Sequence, residues 1–204
     1  MDDDQSRNLG TVAPLAAALA VIIVSYAGIA LVLGWGLHID LLIRHPSTKT
    51  AMVPASAVGF LLSGCALLAA SRNQPVLARL CLVGVLGVVM VAFIGQTVGW
   101  QWSAGMFFHE LAMTDRMAPA TAVGFALAAF GTDRFMKEDY FSADAAGIFG
   151  LSSAVGLFLL NFTGVSPELG IAFLSGMSLQ SSALFTLFFL ALCLTSQMEK
   201  PEAD

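Results

Sequence analysis

Charge-free stretches constrain this chain more than any other feature of it. Between consecutive Asp, Glu, Lys and Arg residues lie six windows, 8–39, 50–71, 80–109, 117–132, 145–167 and 169–198. A helix needs about 20 mainly apolar residues to cross the hydrocarbon core of a bilayer. Five windows reach that length unaided. The window opening at Met117 is short, and a span there must run past Asp133 to Met136 with Arg134 snorkelling toward head groups. With 57% hydrophobic and 11% charged residues among 204 and a mean hydropathy of +0.82, a water-soluble core is excluded. The expected fold is an all-α integral membrane domain over 11–197. Its six transmembrane helices are expected at about 12–36, 52–70, 76–100, 117–136, 145–165 and 176–197, between tails 1–10 and 198–204.

The N-terminal MDDDQSRN is acidic where a signal peptide is basic, and the apolar stretch after it exceeds a signal h-region, so an uncleaved first helix is expected. With the N-terminus inside, Arg7, Arg72, Arg79, Arg134, Lys137 and Lys200 face the cytoplasm, and Arg44, Lys49 and Arg116 face outward. Both termini are then cytoplasmic. The formal charge of −5 resides largely in the tails, which argues against nucleic acid as a partner and against anchoring on anionic lipid. Cys65, Cys81 and Cys193 fall inside expected spans at spacings that suit neither a disulfide framework nor zinc.

One phrase recurs. Residues 52–62 read MVPASAVGFLL, residues 117–127 read MAPATAVGFAL, and a worn third copy, MSLQSSALFTL, begins at Met177. Spacings of 65 and 60 residues fit one helical hairpin per unit, giving about three repeated units. Each copy opens a helix: Pro54 and Pro119 suit a first turn, and Thr50, Asp115 and Ser175, two residues before each Met, are expected to cap it. Ala55, Gly59 and Ser63, like Ala120, Gly124 and Ala128, recur every four residues as a stripe that lets helix backbones approach closely. Helices two and four are therefore expected at the packed centre. The third copy replaces the stripe with Leu184 and Phe188, so helix six, with Phe185, Phe188 and Phe189, is expected to face lipid, a partner or a ligand. The phrase reads first as a helix start with a packing face. Its functional reading is that three helix N-termini converge as a site for a carboxylate or other anion.

Met-x-Pro-x-Thr-Ala leading an apolar helix, two or three times at roughly sixty-residue spacing, resembles the multi-pass N-terminal membrane region of certain bacterial sensor histidine kinases and diguanylate cyclases. MVPASA, MAPATA and MSLQSS carry the resemblance, which covers most of the chain after residue 45. It implies an inner-membrane input module joined through its last helix to a cytoplasmic output domain. The chain departs from that pattern by ending at Asp204 with no PAS, kinase or GGDEF segment. Either the output domain belongs to a longer chain, or the module signals through, or supports, another subunit.

His38, His45 and His109 all fall on the expected outer side, near Asp40, Glu110, Asp115 and Glu168 in topology. Imidazole and carboxylate together suit a divalent metal, and neutral imidazole also suits a quinone or haem. His38 and His45 lack helical ligand spacing, and adjacent His109 and Glu110 point about 100° apart on a helix, so no metal site is assigned. Contact with head groups is the ordinary role of such histidines. The candidate cofactor-binding residues are His109, Glu110 and His38, with His109 first because Trp100, Trp102, Phe107 and Phe108 surround it in sequence; no cofactor is named.

Within the bilayer, Ser25, Tyr26, Gln96, Thr97, Asn161, Gln180, Ser181 and Ser182 read as interhelical hydrogen-bonding groups. No retinal lysine, haem histidine pair, phosphate loop, HExxH or serine elbow is present, so no enzyme is expected. The expected function is a sensory module that binds a small or lipid-soluble ligand near its outer face and relays a helix shift to a partner. The alternative is an accessory subunit of a larger membrane complex. Besides the lipid bilayer, the expected contacts are a protein partner or a homo-oligomer through helix six and the small-residue faces.

Overall fold

A computed structural model describes residues 3–37, 39–43, 51–98, 117–163 and 177–198. Among these the chain is helical with no strand element: α1 (Asp3–Ile29, continued by a π-helical turn, Ala30–Trp35), α2 (Asp40–Ile43), α3 (Pro54–Ser71), α4 (Pro75–Val98), α5 (Pro119–Met136), α6 (Tyr140–Thr163) and α7 (Leu179–Met198). Five stretches are long and apolar enough to cross a membrane, Pro14–Trp35 at the end of α1, Pro54–Ser71, Pro75–Ile94, Tyr140–Thr163 and Leu179–Gln197. α5 is not among them, because Asp133 and Arg134 lower the apolarity of its last turn.

The phrase does start helices, but through its own residues. Val53 and Ala118 sit in extended conformation before Pro54 and Pro119, with no side-chain capping bond. Proline suits that place because the first N–H of a helix has no partner in any case. Before α7, Ser178 Oγ accepts from the Ser181 N–H at 3.2 Å, a side-chain cap where proline is missing. The caps thus lie three residues after Thr50, Asp115 and Ser175, which are outside the described residues.

α3 and α5 end alike. The Gln74 N–H bonds Ala69 O and the Asn73 N–H bonds Ala70 O, while the Asp139 N–H bonds Arg134 O and the Glu138 N–H bonds Phe135 O. This is the pattern of a left-handed C-terminal cap, with Asn73 and Glu138 at φ of 54° and 60°. The α3–α4 and α5–α6 hairpins match in every helix bound at an offset of 65 residues. α6 begins at Tyr140, a turn before the expected Ala145, because Asp144 lies inside the helix and is buried.

α3, α5 and α7 touch one another. Each remaining long helix lies in a groove between two of them: α1 on α3 and α7, α4 on α3 and α5, α6 on α5 and α7. Burial follows this division, with 61% of the α3 span and 56% of the α7 span buried against 22% for α4 and α6. The outer helices expose Leu80, Val83, Met90, Phe149 and Phe162, as lipid-facing surfaces do.

At the centre Phe60, Phe125 and Phe185, the ninth residue of each phrase, meet ring to ring at 4.8, 4.5 and 4.9 Å. The glycines of the first two phrases explain how the rings fit. A Cβ at Gly59 would stand 2.5 Å from Phe125 Cζ, and one at Gly124 would stand 2.6 Å from Phe185 Cζ. The stripe of α3 therefore seats a ring from α5, and the stripe of α5 seats a ring from α7. The expectation that α7 faces lipid, a partner or a ligand is corrected: Leu184, Phe185, Phe188 and Phe189 are all buried within the bundle. α7 is central without a stripe of its own because it supplies the ring that fills the seat on α5.

Candidate functional site

Successive long helices alternate in direction, so α3, α5 and α7 run the same way. Their beginnings define one end of the bundle, the start end, and the α3–α4 and α5–α6 turns define the other, the turn end.

At the start end Met52, Met117 and Met177 are buried. The preceding outer helix holds the carbonyls of Met52 and Met177: Trp35 Nε1 donates to Met52 O at 3.1 Å, and Asn161 Nδ2 donates to Met177 O at 3.2 Å. Tyr26 Oη donates to Leu42 O at 2.9 Å, and the Met52 N–H bonds Ile43 O at 2.8 Å, tying α2 and the start of α3 to α1. Tyr26 and Asn161 thus act as the polar residues of membrane helices usually do, joining elements. Gln180 Oε1 is buried and has no partner among the described residues.

The fifth residue of each phrase is a hydroxyl, Ser56, Thr121 or Ser181, and each is only 2% exposed. Each stands four residues before the phenylalanine of its own helix, so it shares that face one turn nearer the start end. The three hydroxyls therefore look onto the axis above the aromatic floor. Ser178 Oγ and Ser181 Oγ share a hydrogen bond of 2.9 Å. The Ser63 hydroxyl, two turns further along α3 than Ser56, is buried without a hydrogen-bond partner among the described residues. The buried Thr132 and Thr195 hydroxyls bond back to their own helices, at Ala128 O and Ala191 O.

At the turn end, Asp144 in α6 accepts hydrogen bonds from Ser196 Oγ and, at 3.0 Å, Gln197 Nε2 in α7. Arg134 stands over Phe130, 5.0 Å from the ring centre, and pairs with Asp139 at 3.7 Å. Asp139 caps α6 by accepting from the Ser142 N–H. Hydrogen bonds from the Ser142 side chain and backbone, aided by Arg134, hold its carboxyl below the ordinary value.

His38, His109 and Glu110, the candidate cofactor-binding residues, lie outside the described residues, as do His45, Asp115 and Glu168. Asp40 opens α2. Among the described residues no three of His, Cys, Asp and Glu come together. The hydroxyls carried a signal in the sequence, a Ser or Thr in the fifth place of all three phrases. Asp144 was hidden because a charge in an apolar chain reads as the edge of a window.

Comparison with protein-family models, with curated proteins and with solved structures gives no match for this chain.

Proposed function

We propose that the chain is a six-span inner-membrane sensory module, with α5 as the sixth span and both termini in the cytoplasm. The α3–α4 and α5–α6 hairpins form its first two units after α1, α7 opens a third, and the start end faces outward. On this reading a small ligand binds at the start end, and α7 carries the resulting shift to a partner at the cytoplasmic side.

One observation carries the reading: α7 runs from the hydroxyl layer, through the aromatic floor at Phe185, to the Asp144 contact at Ser196 and Gln197. A change at its beginning therefore reaches its end through one rigid element. The resemblance to sensor input regions agrees, since their last helix leads to the output domain. The accessory-subunit alternative loses its main support, because the phenylalanines of α7 pack inward.

Spin labels at Asn73→Cys and Met198→Cys, in a background with Cys65, Cys81 and Cys193 replaced, report the position of the α7 end. The expected result is one distance for protein as purified and another after exhaustive detergent exchange has stripped co-purified small molecules. Replacing residues 106–111 by a Gly–Ser linker is expected to abolish that difference at unchanged melting temperature. Identical distances before and after stripping overturn the reading.

A further inference from the structure

We infer that the α3–α4 turn and the outer face of α4 bind one anionic phospholipid, its phosphate held by Arg79 and Arg72 and its acyl chain lying along Val83, Leu86 and Met90.

Arg79 lies inside the membrane-crossing stretch Pro75–Ile94, about 6 Å past the start of α4. It is exposed, and no acid among the described residues pairs with it; the ion pairs Arg134–Asp139 and Lys137–Asp133 both belong to the α5–α6 turn. A charge on the lipid-facing side of a span is costly, and a long side chain snorkels toward a compensating group at the membrane boundary.

Internal repetition supplies a control. At an offset of 65 residues, Arg72, Asn73, Gln74 and Arg79 stand where the second hairpin has Lys137, Glu138, Asp139 and Asp144. The backbones agree, down to the left-handed Asn73 and Glu138, while the charges do not. In the second hairpin Asp133 meets Lys137 at 2.6 Å, Asp139 meets Arg134 at 3.7 Å, and Asp144 turns inward to Ser196 and Gln197. In the first, two neutral amides replace the acids, and both arginines are exposed. The same turn is therefore charge-paired in one copy and purely basic in the other.

Arg79 tops an apolar column. At i+4, i+7 and i+11 on the same helix face stand Val83, Leu86 and Met90, 68%, 46% and 57% exposed. The column looks away from the bundle, because Ala78, Leu82 and Val85 are the buried side of this part of α4. A cation at the membrane boundary above an exposed apolar column fits an amphiphile, with a phosphate at one end and a hydrocarbon chain at the other. An acidic protein segment would answer the arginines and leave the column, which lies within the bilayer, unused. Two arginines in one turn favour a head group of net negative charge, since they repel the ammonium that follows the phosphate of a zwitterionic lipid. The formal charge of −5 does not oppose this, because it resides largely in the tails and the site takes a single lipid.

The full chain, delipidated in uncharged detergent, is offered equimolar phosphatidylglycerol and phosphatidylcholine of different acyl mass, and bound lipid is counted by native mass spectrometry. An arginine near an anionic head group is worth about fivefold in affinity, so the parent chain is expected to retain phosphatidylglycerol at least about fivefold over phosphatidylcholine. Arg79→Gln and Arg72→Gln are each expected to weaken that retention by about fivefold, and Arg79→Lys to keep it. Lys137→Gln, at the equivalent place in the charge-paired turn, is expected to stay within about twofold of the parent, as a paired surface charge contributes little. In lipid-free detergent the arginine variants should melt within about 2 °C of the parent, which separates lost binding from lost folding. Equal retention of the two lipids by the parent overturns the inference and gives the arginines to an acidic protein segment. Unchanged phosphatidylglycerol retention in Arg79→Gln, or displacement of the lipid by equimolar inorganic phosphate, overturns it as well. The sensing reading is tested separately, since its ligand lies at the start end and this lipid at the turn end.

Discussion

Adding one methyl group to a glycine should have opposite effects at two sets of positions in this bundle. At Gly59 the new Cβ would lie 2.5, 2.7 and 2.9 Å from three carbons of the Phe125 ring, and at Gly124 it would lie 2.6, 2.9 and 3.0 Å from three carbons of Phe185. Carbon atoms rest about 3.5–4.0 Å apart, so each ring must retreat by about 1 Å, into a centre already filled by two other rings. Overpacking of this kind costs about 1–3 kcal/mol. Alanine regains up to about 1 kcal/mol of helix propensity, which leaves Gly59→Ala and Gly124→Ala destabilised by about 1 kcal/mol. At Gly28, Gly87 and Gly156 a Cβ would meet nothing within 4 Å, so only the propensity gain remains and alanine should stabilise. In a chain of this length about 1 kcal/mol is about 2–4 °C in Tm. Thermal unfolding of the five variants in one detergent should therefore split them, two lower and three higher than the parent. Adding Phe185→Leu should relieve Gly124→Ala by about 0.5–2 kcal/mol in a double-mutant cycle. If Gly59→Ala and Gly124→Ala stabilise as Gly87→Ala does, the rings are not seated on those backbones and the three-helix centre is wrong.

Removing the Asp144 carboxylate by Asp144→Ala should free the Ser196 and Gln197 donors and cost about 1–3 kcal/mol, read as faster proteolysis of the chain after Met198. Asn161→Leu should lose the bond to Met177 O at a cost of about 0.6 kcal/mol, at most about 1.7 kcal/mol, measured by thermal unfolding. The Asp139 carboxyl titrates below its ordinary value in the folded chain, so its contribution is complete above the ordinary value of about 3.9. That contribution is lost as pH falls through the lower folded value. Hydrogen exchange in the first turn of α6 should speed up across that interval, and Asp139→Ala should show the faster exchange at neutral pH with no acid step.

Much of this architecture was legible because lipid leaves a chain few options. The charge-free windows locate the five membrane-crossing stretches, and the stripes of Gly59 and Gly124 announced close packing. What misled was local reading of a cyclic arrangement. A ring of helices needs a seat and an insert at each contact, and α7 has lost the seat, with Leu184 in its place, while keeping the insert, Phe185. Its missing stripe therefore said nothing about its place in the bundle. Asp144 misled for a related reason: a charge looks like a helix boundary until Ser196 and Gln197, more than fifty residues later, are folded against it. At α3 and α5 the capping positions slipped by three residues because proline fixes the backbone of a first turn without side-chain help, whereas before α7 a serine does cap, Ser178 in place of Ser175. The three hydroxyls stood in plain view in the repeated phrase. Only the meeting of the three phenylalanine rings shows that they share one axis.

The central claim is that three helix starts converge with their hydroxyl positions around a single axis. Paired substitutions Ser56→Cys with Thr121→Cys, Thr121→Cys with Ser181→Cys, and Ser56→Cys with Ser181→Cys test it most directly, in a chain with the native cysteines replaced and with a short bismaleimide applied in native membranes. All three pairs should cross-link within one chain, while Ser56→Cys paired with Ile148→Cys, on the exposed face of α6, should not. Cross-linking of only one pair, or of none while each single cysteine still reacts with a monofunctional maleimide, would contradict the account.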